Sequence, residues 1–290
     1  MDTIKGKPGL INVFLESGRD YSGSSAVIIG APMDFTVSFR AGSRFGPNAI
    51  REMSWVLENY SPYMDRDLSN MNIFDYGDLE LAFGNPERSL SIIKNAAAEV
   101  FNDGKFPVFL GGEHLISLPV IEAAFEKYGG DLVLLHFDAH ADLREDYAGE
   151  SLSHATVIRQ CSRFIKPENI YQFGIRSGTG DEFTWGRENT NFYPFEIVEP
   201  LKKVLPEIKN KPVYITLDID VVDPAFAPGT GTPEPGGCSA ADMLKAVHLL
   251  ADCDVKGFDL VEVMPDSDPA GITGALAAKI VREGLLSFVK

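Results

Sequence analysis

From about residue 25 onward, short runs of consecutive apolar residues alternate with longer segments whose apolar positions recur at helical spacing. The runs predict strands over 26–29, 72–76, 106–110, 131–137, 169–173, 192–195, 213–217 and 257–263. Between them, residues 89–101 place Leu90, Ile93, Ala97, Val100 and Phe101 on one helical face. Pro47 follows Gly46, a favourable first position for a helix over 49–60. Ser239-Ala-Ala-Asp242 resembles a capping box ahead of Met243, Leu244, Val247 and Leu250. A last helix is predicted over about 272–288. Strands alternating with helices imply crossover connections and a mostly parallel sheet. Leu132-Val-Leu-Leu135 is apolar on both faces, as expected when helices cover both sides. No linker or repeat divides the chain. The pattern predicts one three-layer α/β domain over 21–290, with residues 1–20 as an arm outside the core.

Composition narrows the class. With 44% hydrophobic and 23% charged residues in 290, the chain reads as globular rather than disordered. No apolar run approaches the roughly 18 residues of a membrane span, and residues 1–20 lack the apolar stretch of a signal peptide. A net charge of −16 argues against nucleic acid and suits a cationic ligand. Cys161, Cys238 and Cys253 form neither a CxxC pattern nor an even disulfide framework, which suggests a reducing cytoplasm.

The chemistry gathers at strand ends. His114 closes Gly111-Gly-Glu-His after the 106–110 strand. Asp138-Ala-His-Ala-Asp142 follows 131–137, and Asp218-Ile-Asp220 follows 213–217. In parallel α/β sheets, ligands bind at the carboxyl ends of strands. In an extended segment, alternate residues share a side, which would group Asp138, His140 and Asp142, and also Asp218 and Asp220. The set holds two imidazoles and four carboxylates, and the four carboxylates would repel strongly without about four positive charges, which two divalent cations supply. An oxygen-rich donor set suits Mn²⁺ or Mg²⁺, and no cysteine lies in the clusters to suggest structural zinc. Two such ions about 3.5–4 Å apart activate water for hydrolysis at carbon or phosphorus. No Arg or Lys lies within the clusters, which favours a cationic substrate over phosphate. His136 reads as a packed core histidine, His248 as structural, and Asp223 as a turn cap. Glu113 either supports His114 or faces a loop.

These motifs, with Ala31-Pro-Met-Asp34, Gly42-Ser-Arg-Phe-Gly-Pro47, Ser153-His-Ala155, Asp218-Ile-Asp-Val-Val-Asp-Pro224, Ala227-Pro-Gly-Thr-Gly-Thr232 and Asp259-Leu-Val-Glu262, resemble the ureohydrolase (arginase/agmatinase) family over nearly the whole chain. The resemblance implies a three-layer αβα sandwich around an eight-stranded parallel sheet and two Mn²⁺ ions per subunit. It places His114 and Asp142 on one ion and His140 and Asp220 on the other, with Asp138 and Asp218 bridging. It assigns Glu262 to the substrate guanidinium and His154 to proton relay and substrate contact. It further implies a homotrimer or homohexamer. Within the family the chain resembles the branch that hydrolyses agmatine to putrescine and urea. Arginases hold the α-carboxylate of arginine with an Asn-bearing loop, whereas Leu143-Arg-Glu-Asp-Tyr-Ala-Gly-Glu-Ser-Leu-Ser153 has no Asn. They also carry acidic residues soon after Gly-x-Arg, where this chain has Gly174-Ile-Arg176 followed by Ser177-Gly-Thr179. Other ω-guanidino compounds such as guanidinobutyrate stay open, as does a non-catalytic metal- or polyamine-binding role. A zinc deacetylase is disfavoured because no His–His pair precedes the aspartate motif.

Overall fold

The computed structural model describes residues 12–18 and 20–290. The strands are β1 (Ser17–Gly18), β2 (Ala26–Ala31), β3 (Tyr60–Ser61), β4 (Arg66–Asp67), β5 (Ile73–Asp78), β6 (Phe106–Gly111), β7 (Val133–Phe137), β8 (Ile170–Ile175), β9 (Asn191–Pro194), β10 (Pro212–Asp218) and β11 (Asp254–Val261). The helices are α1 (Gly46–Ser54), α2 (Pro86–Asn102), α3 (Ser117–Tyr128), α4 (Val157–Cys161), α5 (Gly180–Asn189), α6 (Val198–Ile208), α7 (Ala240–Leu249) and α8 (Ile272–Phe288). Nine strands form one sheet in the order β1-β5-β2-β6-β11-β10-β7-β8-β9. All eight neighbouring pairs run parallel. β3 and β4 form a separate antiparallel ribbon.

The period-two geometry of a strand explains the three layers. Ile28, Val108, Leu135 and Ile215 join one apolar cluster with residues of α1, α6, α7 and α8. Their neighbours Ile29, Phe109, Leu134 and Tyr214 join a second cluster with residues of α2, α3 and α4. A sheet buried on both faces needs strands apolar at successive positions, which is the pattern the sequence carries. The eight expected strands are all present, and β1 is a ninth that two residues are too few to reveal by periodicity.

Two expectations meet a different structure. The described part of the 1–20 segment is not wholly outside the core: Phe14 and Leu15 are buried. The Phe14 N–H donates to Asp75 Oδ2 at 2.8 Å. Asp75 also pairs with the buried Arg51 through Nε (2.8 Å) and Nη2 (3.0 Å), so a buried ion pair and a backbone bond draw this segment in. The helix expected over 49–60 spans Gly46–Ser54 instead. Ser54 Oγ is committed to Arg51 O and Leu15 N, and the chain then turns through Leu57 N–H to Ser54 O toward β3.

The topology sets where chemistry can sit. The chain leaves β6 through α3 and returns at β7, three strand positions away, and β11 and β10 later fill the two places between them. The carboxyl ends of β6, β11, β10 and β7 are therefore side by side, although they are far apart in sequence. Backbone bonds stitch the first of them to β2: Gly112 N–H donates to Ala31 O at 2.9 Å, and Glu113 N–H to Met33 O at 2.6 Å. A side chain at Gly112 has no room, since its Cβ would fall 1.9 Å from Met33 O. We therefore expect Gly112→Ala to displace the turn that carries His114 and to destabilise the fold by roughly 3 kcal/mol, the upper range for overpacking. Urea denaturation checks this; a midpoint unchanged from the parent would contradict it.

Candidate metal centre

His114, Asp138, His140, Asp142, Asp218, Asp220, His154 and Glu262 all lie at the carboxyl edge of the central strands. Seven of the eight line a cleft of about 280 Å³, and Asp138 lies beneath it against His114. Among the described residues, two groups could share an ion, each with potential ligand atoms within 4.8 Å of one another: His114, His136, Asp138 and Asp142, and Asp138, His140 and Asp220.

Short turns create the geometry. Asp138 Oδ1 accepts from His140 N–H at 2.5 Å, and Asp218 Oδ1 accepts from Asp220 N–H at 2.9 Å. These aspartate-capped turns replace the extended arrangement expected from alternation, because each carboxylate bonds its own backbone two residues on. Asp220 follows within a short 3₁₀ turn rather than a strand. Its Oδ1 accepts from Ala139 N–H at 3.0 Å, tying the ends of β10 and β7 together. Asp142 and Glu262 have φ of 52° and 64°, left-handed conformations that turn both side chains back to the cleft. Glu262 N–H donates to Gly112 O at 2.8 Å, and Glu262 Oε1 accepts from His114 N–H at 2.9 Å.

The donor set fits divalent cations. His114 Nδ1 is 3.0 Å from Asp138 Oδ2, 3.1 Å from Asp142 Oδ2 and 3.5 Å from Asp218 Oδ2. Despite this proximity the buried nitrogen meets none of them in hydrogen-bond geometry. Three carboxylates converging on an imidazole nitrogen that bonds to none of them is the arrangement a shared cation requires. His140 Nδ1 lies 2.8 Å from Asp220 Oδ2 and 3.6 Å from Asp138 Oδ1, so Asp138 presents one oxygen toward each histidine. The oxygen-rich set suits Mn²⁺ or Mg²⁺.

Without cations the protonation demands conflict. Burial, and then the charges of Asp220 and Asp138, push the Asp218 carboxyl well above the carboxylate range. Burial, and then the Glu113 charge, push Glu262 up to about 8. Burial pushes Glu113 up to about 7 against the pull of its hydrogen bonds from Thr36. Asp138 runs the other way: burial opposes ionisation, but His136, His114 and His140 hold it well below the ordinary value. Burial opposes charge on His114, but Asp138 and Asp142 outweigh it and raise the imidazole well above its usual range. Burial lowers His154, which favours its neutral form.

Several partners have no local sequence signal. His136 is buried as expected, but it is a polar bridge: its Nε2 lies 2.8 Å from Asp138 Oδ2. Gln172 fixes the tautomer. Its Nε2 donates to Ala141 O and faces His136 Nδ1 at 3.1 Å, while its Oε1 accepts from Thr190, so His136 Nε2 carries the proton toward Asp138. Glu113 accepts from Phe35 N–H, Thr36 N–H and Thr36 Oγ1, at 3.1, 2.8 and 2.6 Å. Thr36 Oγ1 in turn accepts from His154 N–H at 3.0 Å and lies 3.4 Å from His154 Nδ1. Asp223 accepts from Ala225, Gly236 and Gly237 N–H as a turn cap. His248 bonds Glu283 and lies outside the residues lining the cleft.

The conflicting protonation states predict a pH effect on the metal-free protein. Glu262 and Glu113 have raised values of about 8 and about 7 against an ordinary 4.5, so folding favours their neutral forms. Their stabilisation is complete below about pH 4.5 and is lost as pH rises through about 8, and the raised His114 adds to the same trend. In chelator, melting should fall by roughly 3 °C or more between about pH 6 and pH 8.5, about 1 kcal/mol for a domain of this size. Calorimetry that shows a higher melting point at the alkaline end would contradict this.

Comparison with known proteins identifies the family and the fold. The Arginase family matches residues 24–287. An agmatinase from Bacillus subtilis (strain 168) is 53% identical over 281 residues, covering 96% of this chain and 97% of the relative. The structure of the agmatine ureohydrolase of Thermoplasma volcanium superposes with a TM-score of 0.87 at 32% identity, covering 96% of this chain and 94% of that one. The proclavaminate amidino hydrolase from Streptomyces clavuligerus superposes with a TM-score of 0.86 at 30% identity, covering 97% and 98%. The chain belongs to the arginase family.

Proposed function

We propose that the chain hydrolyses agmatine to putrescine and urea with two Mn²⁺ ions per subunit. The observation that carries this reading is the cleft floor, where four aspartates, two histidines and Glu262 meet and the His114 Nδ1 atom is left without a partner. Family membership and agmatinase relatives at about half identity support a hydrolase that cleaves C–N bonds of guanidino compounds. His114 and Asp142 would hold one ion and His140 and Asp220 the other, with Asp138 and Asp218 shared between them. Bound there, the ions supply Lewis-acid activation of water at neutral pH.

The chain's own residues then have separate tasks. A guanidinium stays charged at any ordinary pH. Glu262 would orient it, because a carboxylate takes two parallel N–H bonds from such a group. Binding a cation also favours the ionised form of Glu262, against the burial that raises it. His154 would accept and return the proton that the leaving amine needs, since a largely neutral imidazole at the cleft wall can do both. Thr36 and Ser153 steady it, with hydroxyl oxygens 3.4 and 3.3 Å from Nδ1.

The cleft wall favours agmatine over arginine. Among the described lining residues, Arg144 is the one Lys or Arg. Its Nε is 3.3 Å from Glu182 Oε2 and its guanidinium lies over the Tyr147 ring at 4.9 Å, so it is already paired. An α-carboxylate brought into this acidic cleft would be desolvated beside an occupied cation. The same proposal includes a cytoplasmic location, supported by the free thiols of Cys161, Cys238 and Cys253. It also includes a homotrimer or homohexamer, supported by exposed Phe39, Trp55, Phe83 and Phe195. Among the described residues, no helix is long and apolar enough to cross a membrane.

After Mn²⁺ loading, urea release from agmatine should exceed that from arginine, guanidinobutyrate and guanidinopropionate by at least about tenfold in kcat/KM, or about 1.4 kcal/mol. An arginine value equal to the agmatine value would overturn the substrate assignment, and no urea from any of the four would overturn the enzyme reading. His154→Asn should lower kcat by roughly 10²–10⁴-fold while both ions stay bound. Glu262→Gln should weaken agmatine binding as well as slow turnover. Metal analysis that finds an ion missing from His154→Asn would make that histidine a ligand instead.

A further inference from the structure

Asp259 opens the Asp259-Leu-Val-Glu262 motif, yet it lies beneath the cleft and touches no part of it that substrate could reach. It is fully buried near the end of β11, and three hydroxyls from two neighbouring elements converge on its carboxylate. Ser117 Oγ, at the start of α3, donates to Oδ1 at 2.8 Å. Tyr214, on β10, donates to Oδ2 at 2.8 Å. Thr216, also on β10, donates to Oδ1 at 2.7 Å. A hydroxyl has one hydrogen, so Thr216 is left as an acceptor on its remaining side. On that side stands His114 Nε2, 2.9 Å from Thr216 Oγ1.

We propose that Asp259, acting through Thr216, fixes the tautomer of His114 and so prepares that histidine to bind a divalent cation. This rests on the metal-binding reading of the cleft. With the Thr216 hydrogen committed to Asp259, His114 must donate from Nε2. In the neutral ring Nδ1 then keeps a lone pair, aimed into the space bounded by Asp138, Asp142 and Asp218 oxygens at 3.0, 3.1 and 3.5 Å. That nitrogen is buried and has no hydrogen-bond partner. A reversed Thr216 hydroxyl would place the proton on Nδ1, facing the carboxylates, and no lone pair would remain for an ion. Hydrogen bonding to the far nitrogen of a ligand histidine is a general means of setting its orientation and basicity. Asp259 and Thr216 are positioning residues, since neither reaches the cleft.

The effect should be confined to one of the two ions. His140 takes no part in this chain of bonds; its nitrogen faces Asp220 and Asp138. Loss of the relay should therefore weaken the ion beside His114 and leave the ion beside His140 in place. A general loosening of the core would weaken both.

The test is a Mn²⁺ titration of the metal-free full-length protein, followed by calorimetry and by electron paramagnetic resonance, with folding checked by circular dichroism. The parent should take up two ions and show the signal of a spin-coupled pair. Asp259→Asn can turn an amide N–H toward Thr216 and reverse the hydroxyl. Thr216→Val keeps the side-chain shape and removes the acceptor, so it carries the test if Asp259→Asn does not fold. Each should weaken one binding step by about 10- to 100-fold, the range for a lost partner of a ligand histidine, and convert the coupled signal to that of an isolated ion. Thr216→Ser, which keeps the hydroxyl, should restore both steps to within about threefold of the parent. A parent that takes up two ions with Thr216→Val matching it in both steps overturns the inference alone. Equal weakening of both steps makes the network a packing feature and also overturns it. A parent that binds no Mn²⁺ overturns the metal-binding reading and this inference with it.

Discussion

The mutual repulsion of Asp138, Asp142, Asp218 and Asp220 is the constraint on which the rest of the molecule turns. All four are buried, at 0, 5, 3 and 3% exposure, and they share one small region with His114 and His140. Charges at such distances in a poorly solvated interior interact far more strongly than in water. Their ionised forms cannot coexist there without counter-charge. The strain is visible in the pattern of proton affinities: Asp218 is pushed up while Asp138 is held down, and the imidazole of His114 is drawn toward its charged form. Divalent cations remove this conflict because each brings two positive charges and accepts lone pairs from several oxygens at once.

A fold that brings these groups together must hold them against that repulsion, and the parallel sheet does so. The turns that carry these residues leave β6, β7 and β10, with Glu262 at the end of β11, and these strands are neighbours because the crossover from β6 to β7 leaves room for two later strands. The turns are then tied across the sheet by bonds to backbone groups. Asp220 reaches Ala139 N–H, Glu262 reaches His114 N–H, and Gly112 O accepts from Glu262 N–H. Hydrophobic clusters on both faces fix the strands below. The position of each carboxylate is therefore set mainly by the backbone, and long, flexible side chains do little of the holding.

The legible part of this arrangement is the part with a local signal. Strand runs such as 106–110 and 213–217 are apolar at successive positions, so the two-sided sheet is readable without any long-range information. Each His–Asp cluster sits directly after such a run, which makes its place at the sheet edge readable too. What escapes is what depends on distant partners. Two-residue β1 has no period, and Phe14 is drawn inward by Asp75, sixty-one residues away. The end of α1 depends on a Ser54 hydroxyl shared with Leu15. His136 reads as apolar packing because its strand is apolar, yet Gln172 on β8 and Asp138 make it a polar bridge. Thr36 joins Glu113 to His154 across more than a hundred residues of sequence, and nothing near any of the three announces the link. The aspartate-capped turns at Asp138 and Asp218 were hidden for a different reason. Alternation along the chain suggests an extended segment, and only the competition between side chain and backbone for the same N–H closes the turn.

The central claim is that this buried cluster is a site for two Mn²⁺ ions. Anomalous diffraction at the manganese edge from crystals grown with Mn²⁺ tests it most directly. The account predicts two peaks, about 3.5–4 Å apart as in other two-metal sites. One should lie between His114 Nδ1 and the oxygens of Asp138, Asp142 and Asp218, and the other between His140 Nδ1 and the oxygens of Asp138, Asp218 and Asp220. A map with no anomalous peak among these residues, or with manganese bound only elsewhere on the chain, would contradict it.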